Sequence, residues 1–393
     1  GAHYYTEFIW NECNVKQLET AVNCVVQSQD IMRMVINDNG TQTLPEAVHH
    51  YEVKVFDFDE KALTDYRNEI SHRTYKIGSW PMFEISVSNV NGEKHIHFSI
   101  DCIILDGWSA YMFMEQIFRK YNGLEITAPS IGFGEYIRLE EDYLKKNNYR
   151  EKSLEFWKKR IKELPPAPQL PYVKAMSEVD KPYFKRLQYA LNEELSAKLE
   201  SNIKKYKCTE SVVICGAYMK TLFSWCNEKP FTLNLTLFNR IPVCEDISDV
   251  FGDFTNTTFI AYNRKESFLE DIEDIKNQMI YAIENRYVNG IEIVKEISDE
   301  NSNKAVFPVV FTSMLRSGSD TDNEIYYPEN MKEVYALSQT PQVSLDHQVY
   351  NRNGKYVFVW DYVSQLYDEK EIMNCFDRYI EFIREIADNN KWN

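Results

Sequence analysis

Asp101, Asp106 and Ser109 stand in a D-x4-D-x2-S spacing within Asp-Cys-Ile-Ile-Leu-Asp-Gly-Trp-Ser, and what two carboxyl groups so close can do depends on the backbone that carries them. The segment Lys94–Ile103 alternates, with Ile96, Phe98, Ile100 and Cys102 on one face and His95, His97, Ser99 and Asp101 on the other. That period of two predicts a half-buried strand. Asp106 then occupies an N-cap position, ahead of a helix that runs to Tyr121 and ends at Asn122-Gly123. The two carboxylates therefore flank a tight strand-to-helix turn. Asp106 has a sufficient structural task as a cap, while Asp101, on the polar face, is open to contact with a substrate. His95, His97 and Asp101 also place three metal-ligand types on one face. A zinc site needs a fourth ligand or water and outer-shell support, so a plain polar strand face is the simpler reading. Cys102 invites a nucleophilic role, but no base is placed to lower its pKa and it shares the apolar parity, which favours packing. His49-His50 precedes a strand predicted at Tyr51–Phe56.

The elements that must hold these residues belong to a chain of 393 residues, longer than one core usually supports, so two lobes are expected. Hydrophobic residues make up 44% and aromatics 14%, enough for packed cores. With 60 acidic against 44 basic residues the net charge is −16, which argues against a nucleic-acid or anionic-membrane partner, since phosphate neutralisation needs clustered Lys and Arg. The eight cysteines are scattered without a C-x-x-C, as suits free thiols in a reducing cytoplasm. No apolar run approaches the ~20 residues of a membrane span, and no signal peptide is evident. The expected location is cytoplasmic.

The clearest boundary is Leu164-Pro165-Pro166-Ala167-Pro168-Gln169-Leu170-Pro171, which holds four of the chain's thirteen prolines and reads as a semi-rigid extended linker. Before it, Asp142–Lys162 is rich in charged helix formers with Phe156 and Trp157 as apolar anchors. After it, strands are predicted at Arg186–Leu191, Phe231–Leu237, Ala305–Thr312 and Lys355–Tyr362. Helices are predicted at Glu193–Tyr206, Glu210–Trp225, Ser267–Tyr287 and Glu369–Ile386. Strands and helices mix without strict alternation, which favours α+β layers over a doubly wound sheet. Lys94–Tyr121 and Lys355–Ile386 share an order of strand, Asp near the strand end, short loop and amphipathic helix; a duplicated lobe and two ordinary strand–helix units explain this equally well.

The strand–turn–helix at Asp101–Tyr121 resembles the core motif of the condensation-domain superfamily of nonribosomal peptide synthetases. Its usual pattern is H-H-x-x-x-D-G. Aligned on Asp106-Gly107, the two His positions are Asp101 and Cys102, and the D-x4-D-x2-S form resembles the heterocyclization branch instead. Further segments resemble that branch: Ser71-His72-Arg73 with Trp80-Pro81-Met82-Phe83, the proline-rich linker, and Phe231–Arg240 followed by Pro242 and Gly252-Asp253-Phe254-Thr255. Pro308–Ser313 and Ser338–Gln348 resemble two C-terminal motifs. The resemblance runs nearly end to end.

The resemblance implies an α+β fold of two chloramphenicol-acetyltransferase-like lobes in a V-shaped pseudo-dimer, with the active site in a tunnel between them. It sets an N-terminal lobe with the linker at residues 1–172 and a C-terminal lobe at 173–393. The family pattern begins with a helix that would precede the first strand, so that helix is expected to be missing. The implied function is condensation of a carrier-bound acyl or peptidyl donor with carrier-bound Cys, Ser or Thr, then cyclodehydration to a thiazoline or oxazoline, typical of siderophore and peptide-antibiotic pathways. The implied partners are donor and acceptor peptidyl carrier domains and an adjacent adenylation domain, with the excised domain monomeric. Substrates would ride on the carriers' phosphopantetheine, and no metal or bound cofactor is implied. Asp346 and Thr312 match the residues associated with cyclodehydration, the first as a buried acid–base group and the second as its hydrogen-bonding partner. Asp101, Asp106 and Ser109 are implied as scaffold, with Asp106 in a buried bidentate pair with Arg240 that fixes one lobe against the other. Gln342, Gln348 and Ser313 are expected to line the tunnel. A condensation-only domain and a silent recruitment domain of the same fold are the alternatives; the absent His counts against the first and the retained C-terminal motifs against the second.

Overall fold

The computed structural model describes residues 2–301, 306–315 and 326–392. By its internal contacts the chain falls into two compact units, residues 1–143 with 240–254 and 325–341, and residues 144–239 with 255–324 and 342–393. The division is discontinuous, where the sequence suggested one cut at 172. The reason lies in the strand pairing, because the first sheet takes a strand from far along the chain.

The first unit is built on a five-stranded sheet. Its members are β1 (His3–Ile9), β4 (Lys54–Phe58), β5 (Phe83–Val90), β6 (Glu93–Asp101) and β11 (Lys332–Gln339), with the small ribbon β2 (Val35–Ile36) and β3 (Gln42–Thr43) apart from it. The order is β11-β1-β6-β5-β4, antiparallel except for β4 with β5. The helices α1 (Val15–Ser28) and α3 (Gly107–Tyr121) pack on each other, while α2 (Glu60–Ser71) lies against β1, β4 and β5. The strand β6 is central, and the structure corrects the half-buried expectation. Phe98 meets Phe118 of α3 on one side, and His97 meets Tyr66 of α2 on the other. His95, His97, Ser99 and Asp101 are all buried. Their polarity is matched internally. Glu7, fully buried, accepts two hydrogen bonds from Arg67 at 2.6 and 2.8 Å and lies 2.7 Å from His95, and Tyr5 joins Glu7 to His97. This network, not a ligand, is what the histidine face serves.

The second unit holds a six-stranded sheet of β7 (Phe184–Ala190), β8 (Phe231–Phe238), β9 (Thr255–Tyr262), β10 (Val309–Ser313), β12 (Leu345–Arg352) and β13 (Lys355–Val363). The order is β7-β13-β12-β10-β8-β9, with β10 parallel to both β12 and β8 and the remaining pairs antiparallel. The helices in chain order are α4 (Phe133–Asn147), which begins in the first unit, α5 (Tyr149–Arg160), α6 (Glu193–Lys205), α7 (Glu210–Trp225), α8 (Phe268–Glu284), α9 (Gly290–Asn301) and α10 (Glu369–Ala387). The continuous helix expected over 142–162 is broken at Asn148, whose φ of 52° ends one helix and starts the next. The caps at Asn192, Thr209 and Asp368 accept from backbone N–H groups as capping residues should. Ala305, the first residue of one expected strand, lies outside the described residues, and the strand itself starts at Val309.

One face of this sheet is aromatic and apolar. His347 sits there among Tyr218, Phe311 and Tyr379, bonded to the Tyr379 hydroxyl at 2.6 Å. On the other face Phe259 of β9 packs with Trp157, Ile161, Val288, Ile293 and Ile297. The proline-rich segment is not a free tether. The carbonyls of Pro165 and Pro166 accept from the Thr232 hydroxyl and backbone N–H, which fastens the segment to β8.

Candidate active site

Strand register places a row of polar side chains across five strands of the second unit. Arg186 on β7 pairs with Asp361 on β13, Asp361 stands directly opposite Asp346 on β12, and Thr312 on β10 is level with Gln348 on β12 and Thr236 on β8. Successive residues of a strand point to opposite faces, so only the alternate positions can form such a row. The side chains complete it. The Thr312 hydroxyl donates to Asp346 Oδ1 at 3.2 Å and lies 2.9 Å from Thr236 Oγ1. Gln348 Nε2 donates to Asp346 Oδ2 at 2.8 Å and to Asp361 Oδ2 at 3.2 Å. Arg186 closes on both oxygens of Asp361, at 2.7 and 2.6 Å.

Burial dominates the chemistry of Asp346. Loss of water disfavours its anion, the nearby Asp361 charge adds to that, and the hydrogen bonds from Gln348 and Thr312 oppose it, leaving the carboxyl pushed up to about 7. Both protonation states are then populated near neutrality, as a group that must take and return a proton requires. Asp346 and Thr236 retain partial exposure, so the row is not sealed. A hydroxyl holds one proton and two lone pairs. Thr312 can donate to ionised Asp346 while accepting from Thr236, and can accept from protonated Asp346 while donating to Thr236.

The structure thus brings Thr312, Asp346 and Gln348 together across the 34-residue gap between the first two. It does not bring Ser313 or Gln342 to them. Ser313 has the opposite parity and bonds to Ser211 in the first turn of α7, at 2.7 Å. Gln342 is exposed in a turn with φ of 66°. Thr236, Asp361 and Arg186 were missed by sequence reasoning. An Asp near the end of a strand was visible at 361, but only register shows that it faces Asp346.

The D-x4-D-x2-S residues belong to the first unit. Asp106 caps α3 by accepting from the Ser109 N–H at 2.6 Å, and it also accepts from the Phe254 N–H at 3.1 Å. Ser109 Oγ donates to the Gly252 carbonyl at 2.8 Å and accepts from Arg240 Nη2 at 2.8 Å. The expected bidentate pair is corrected. Arg240 makes one 3.5 Å contact with Asp106 through Nη1 and turns Nη2 to Ser109, while its guanidinium lies 4.0 Å from the centre of the Phe254 ring. Backbone N–H groups have already taken the carboxylate's better sites. Both partners lie in one unit, so the pair locks the 240–254 segment onto α3 rather than lobe to lobe. Asp101 is buried at the end of β6 and accepts from the Ile103 N–H at 3.0 Å, with its carboxyl raised by burial. Cys102 is partly exposed by surface, but its thiol is pushed far up by burial and by neighbouring carboxylates, so it is no nucleophile. Asp106→Ala is expected to lower stability by about 3 kcal/mol, through loss of the cap and of Arg240's counter-charge, measured by urea unfolding. A loss under ~1 kcal/mol would mean the cap alone mattered.

Among the described residues, no group of three or more His, Cys, Asp or Glu is arranged to hold a metal ion. No helix among them is long and apolar enough to cross a membrane.

The family model for the condensation domain matches residues 3–391. Bacitracin synthase 1 of Bacillus licheniformis is 27% identical over 95% of the chain, and pyochelin synthetase PchF of Pseudomonas aeruginosa 26% identical over 98%. The chain spans only 7% and 22% of those two proteins. Among solved structures, the EpoB cyclization–docking bidomain of a nonribosomal peptide synthetase from Sorangium cellulosum superposes with a TM-score of 0.92 at 26% identity, covering all of this chain and 81% of that one. The fold is the α+β, chloramphenicol-acetyltransferase-like fold of such domains. The chain belongs to the condensation-domain family, in its heterocyclization branch.

Proposed function

We propose that this domain joins a carrier-bound acyl or peptidyl donor to a carrier-bound Cys, Ser or Thr and closes the product to a thiazoline or oxazoline. The observation that carries this reading is the Asp346 carboxyl, held 3.2 Å from the Thr312 hydroxyl and titrating near neutrality. Similarity to a cyclization domain and to a pyochelin synthetase supports it.

The acceptor amine attacks the donor thioester carbon, the C–S bond breaks and the donor carrier's thiol leaves. The side-chain thiol or hydroxyl then attacks the new amide carbon, and Asp346 in its ionised form takes the proton released. The oxyanion this attack leaves on the carbon takes up a proton from solvent, which the nitrogen proton lost at the end repays, so the carbon now bears sulfur or oxygen, nitrogen and a hydroxyl. Asp346 returns its proton to that hydroxyl, the C–O bond breaks, water departs, and loss of the nitrogen proton completes the C=N bond. Hydroxide is a poor leaving group, so the protonated form of Asp346 matters most at this last step. Thr312 holds the carboxyl in line and bonds whichever form is present. The phosphopantetheine arms would belong to the partner carrier domains, one for each substrate, with an adenylation domain loading the acceptor.

The test loads both carriers and reads products by mass spectrometry, where ring closure shows as an amide lighter by one water. Thr312→Val keeps shape and removes the hydroxyl. We expect ring closure to slow about tenfold to a hundredfold, less than loss of the acid–base carboxyl itself would cause, with amide formation retained. Equal loss of both steps would remove Thr312 from ring closure.

A further inference from the structure

Two carboxylates directly opposite each other on neighbouring antiparallel strands are normally unfavourable. Asp346 and Asp361 are such a pair, and Asp361 is fully buried. The arrangement stands because Arg186 grips both oxygens of Asp361 and Gln348 places one amide nitrogen between the two acids. An ion pair of that quality would serve the fold equally well without a second acid beside it. Its placement against the one carboxyl that the ring-closing chemistry needs calls for a further reason.

We infer that Asp361 and Arg186 are positioning residues for ring closure, orienting the Asp346 carboxyl through Gln348 and balancing the charge that faces it. The inference rests on the ring-closing reading above. The Asp361 charge disfavours ionisation of Asp346 and the Arg186 charge favours it, and both act on the same oxygen-bearing end. Asp346 is faced by Asp361 from β13, Arg186 from β7, Gln348 from its own strand, Thr312 from β10 and Thr236 from β8, with the Tyr218 hydroxyl of α7 near enough to feel its charge. Of these only Asp361 and Arg186 carry charge near neutrality, so they set the balance. Gln348 makes the coupling directional. Its Nε2 can bridge Oδ2 of both acids only while Asp361 is held by Arg186, which leaves Asp346 Oδ1 to Thr312.

The test follows the ratio of cyclised to linear product across pH, with both carriers loaded. That ratio comes from the same folded molecules, so a smaller folded fraction does not move it. Asp361→Asn removes the opposing charge and should shift the profile to lower pH by about one unit, whereas Arg186→Gln should shift it to higher pH. Opposite shifts are something a merely structural pair would not produce. If either variant fails to fold, Gln348→Met removes the bridging donor, keeps the ion pair and should also shift the profile upward. Profiles that stay in place, or Asp361→Asn and Arg186→Gln shifts of one sign, overturn the inference. Asp346→Asn in the same assay separates the two levels. If it still closes the ring, the reading beneath falls; if it blocks closure while Asp361→Asn and Arg186→Gln leave the profile unmoved, only the positioning role falls.

Discussion

Asp346→Asn, supplied with both loaded carriers, is expected to accumulate the uncyclised amide on the acceptor carrier and to close few or no rings. The substitution keeps size and hydrogen-bonding capacity, so Thr312 and Gln348 retain a partner, and the sheet has no cavity to collapse into. What it removes is the proton. General acid–base catalysis contributes typically about 10² to 10⁴ in rate, and we expect ring closure to fall by that amount. Amide formation should fall by less than about threefold, since amine attack on a thioester has a good leaving group and needs no acid of this kind. Wild-type protein should show ring closure declining on both sides of pH 7, where the carboxyl passes from one form to the other. Ring closure by Asp346→Asn at the wild-type rate would return Asp346 to the status of a strand residue.

Acidification should unfold the protein steeply between pH 6.5 and 4.5. His3, His97 and His347 are buried, and burial brings them to about 4, 4 and 3. In the unfolded chain each titrates near 6.5, so below that pH the unfolded state takes up three protons that the folded state refuses. Asp346 works the other way. With its folded value near 7 it holds a proton that the unfolded chain releases down to about pH 4, and it offsets one histidine. For these four groups the difference of two protons gives a slope of about 3 kcal/mol per pH unit, with stability falling as pH falls, and the other carboxyls that burial raises, Asp101 among them, make the slope shallower. Glu7 has no part in this window. Burial alone would raise it, yet its bonds from Arg67 and His95 and the charges around it bring it to about 2, so its contribution is lost only below pH 4.5. Urea unfolding at a series of pH values reads the slope. His97→Gln should reduce it by about 1.4 kcal/mol per pH unit, and a flat wild-type profile would show that these histidines are not held neutral.

Helix signals were the most legible part of the fold. Asn192, Thr209 and Asp106 are capping types placed ahead of helix-forming runs, and the helices begin where those side chains can bond to backbone N–H groups. The break at Asn148 escaped notice because both flanking segments have the same charged composition. Burial of the second face of β6 was equally hidden. Alternation reports polarity, and a polar face satisfied by Glu7, Arg67 and Tyr5 looks the same in sequence as one satisfied by water. At the candidate site, only motif resemblance singles out Asp346, Thr312 and Gln348 in the sequence. Asp361 and Arg186 could not be found, because cross-strand partners are fixed by register over 175 residues, and register is set by the assembled sheet. Ser313 is parted from Thr312 by the same logic in miniature: adjacent residues of a strand serve opposite faces.

The interleaving of the chain bears on how this module can be exchanged between assembly lines. The proline-rich stretch invites a crossover at 172, yet β1 draws its neighbour from Lys332–Gln339, and Thr232 is bonded to Pro165 and Pro166. A chimera joined there would combine a first sheet lacking its own edge strand with a second core stripped of Trp157 and Ile161. Each half would have to fit surfaces shaped for a different parent. Recombination should therefore preserve the whole span from β1 to α10, and the proposed ring-closing chemistry is better altered by point changes around the Asp346 row than by trading halves.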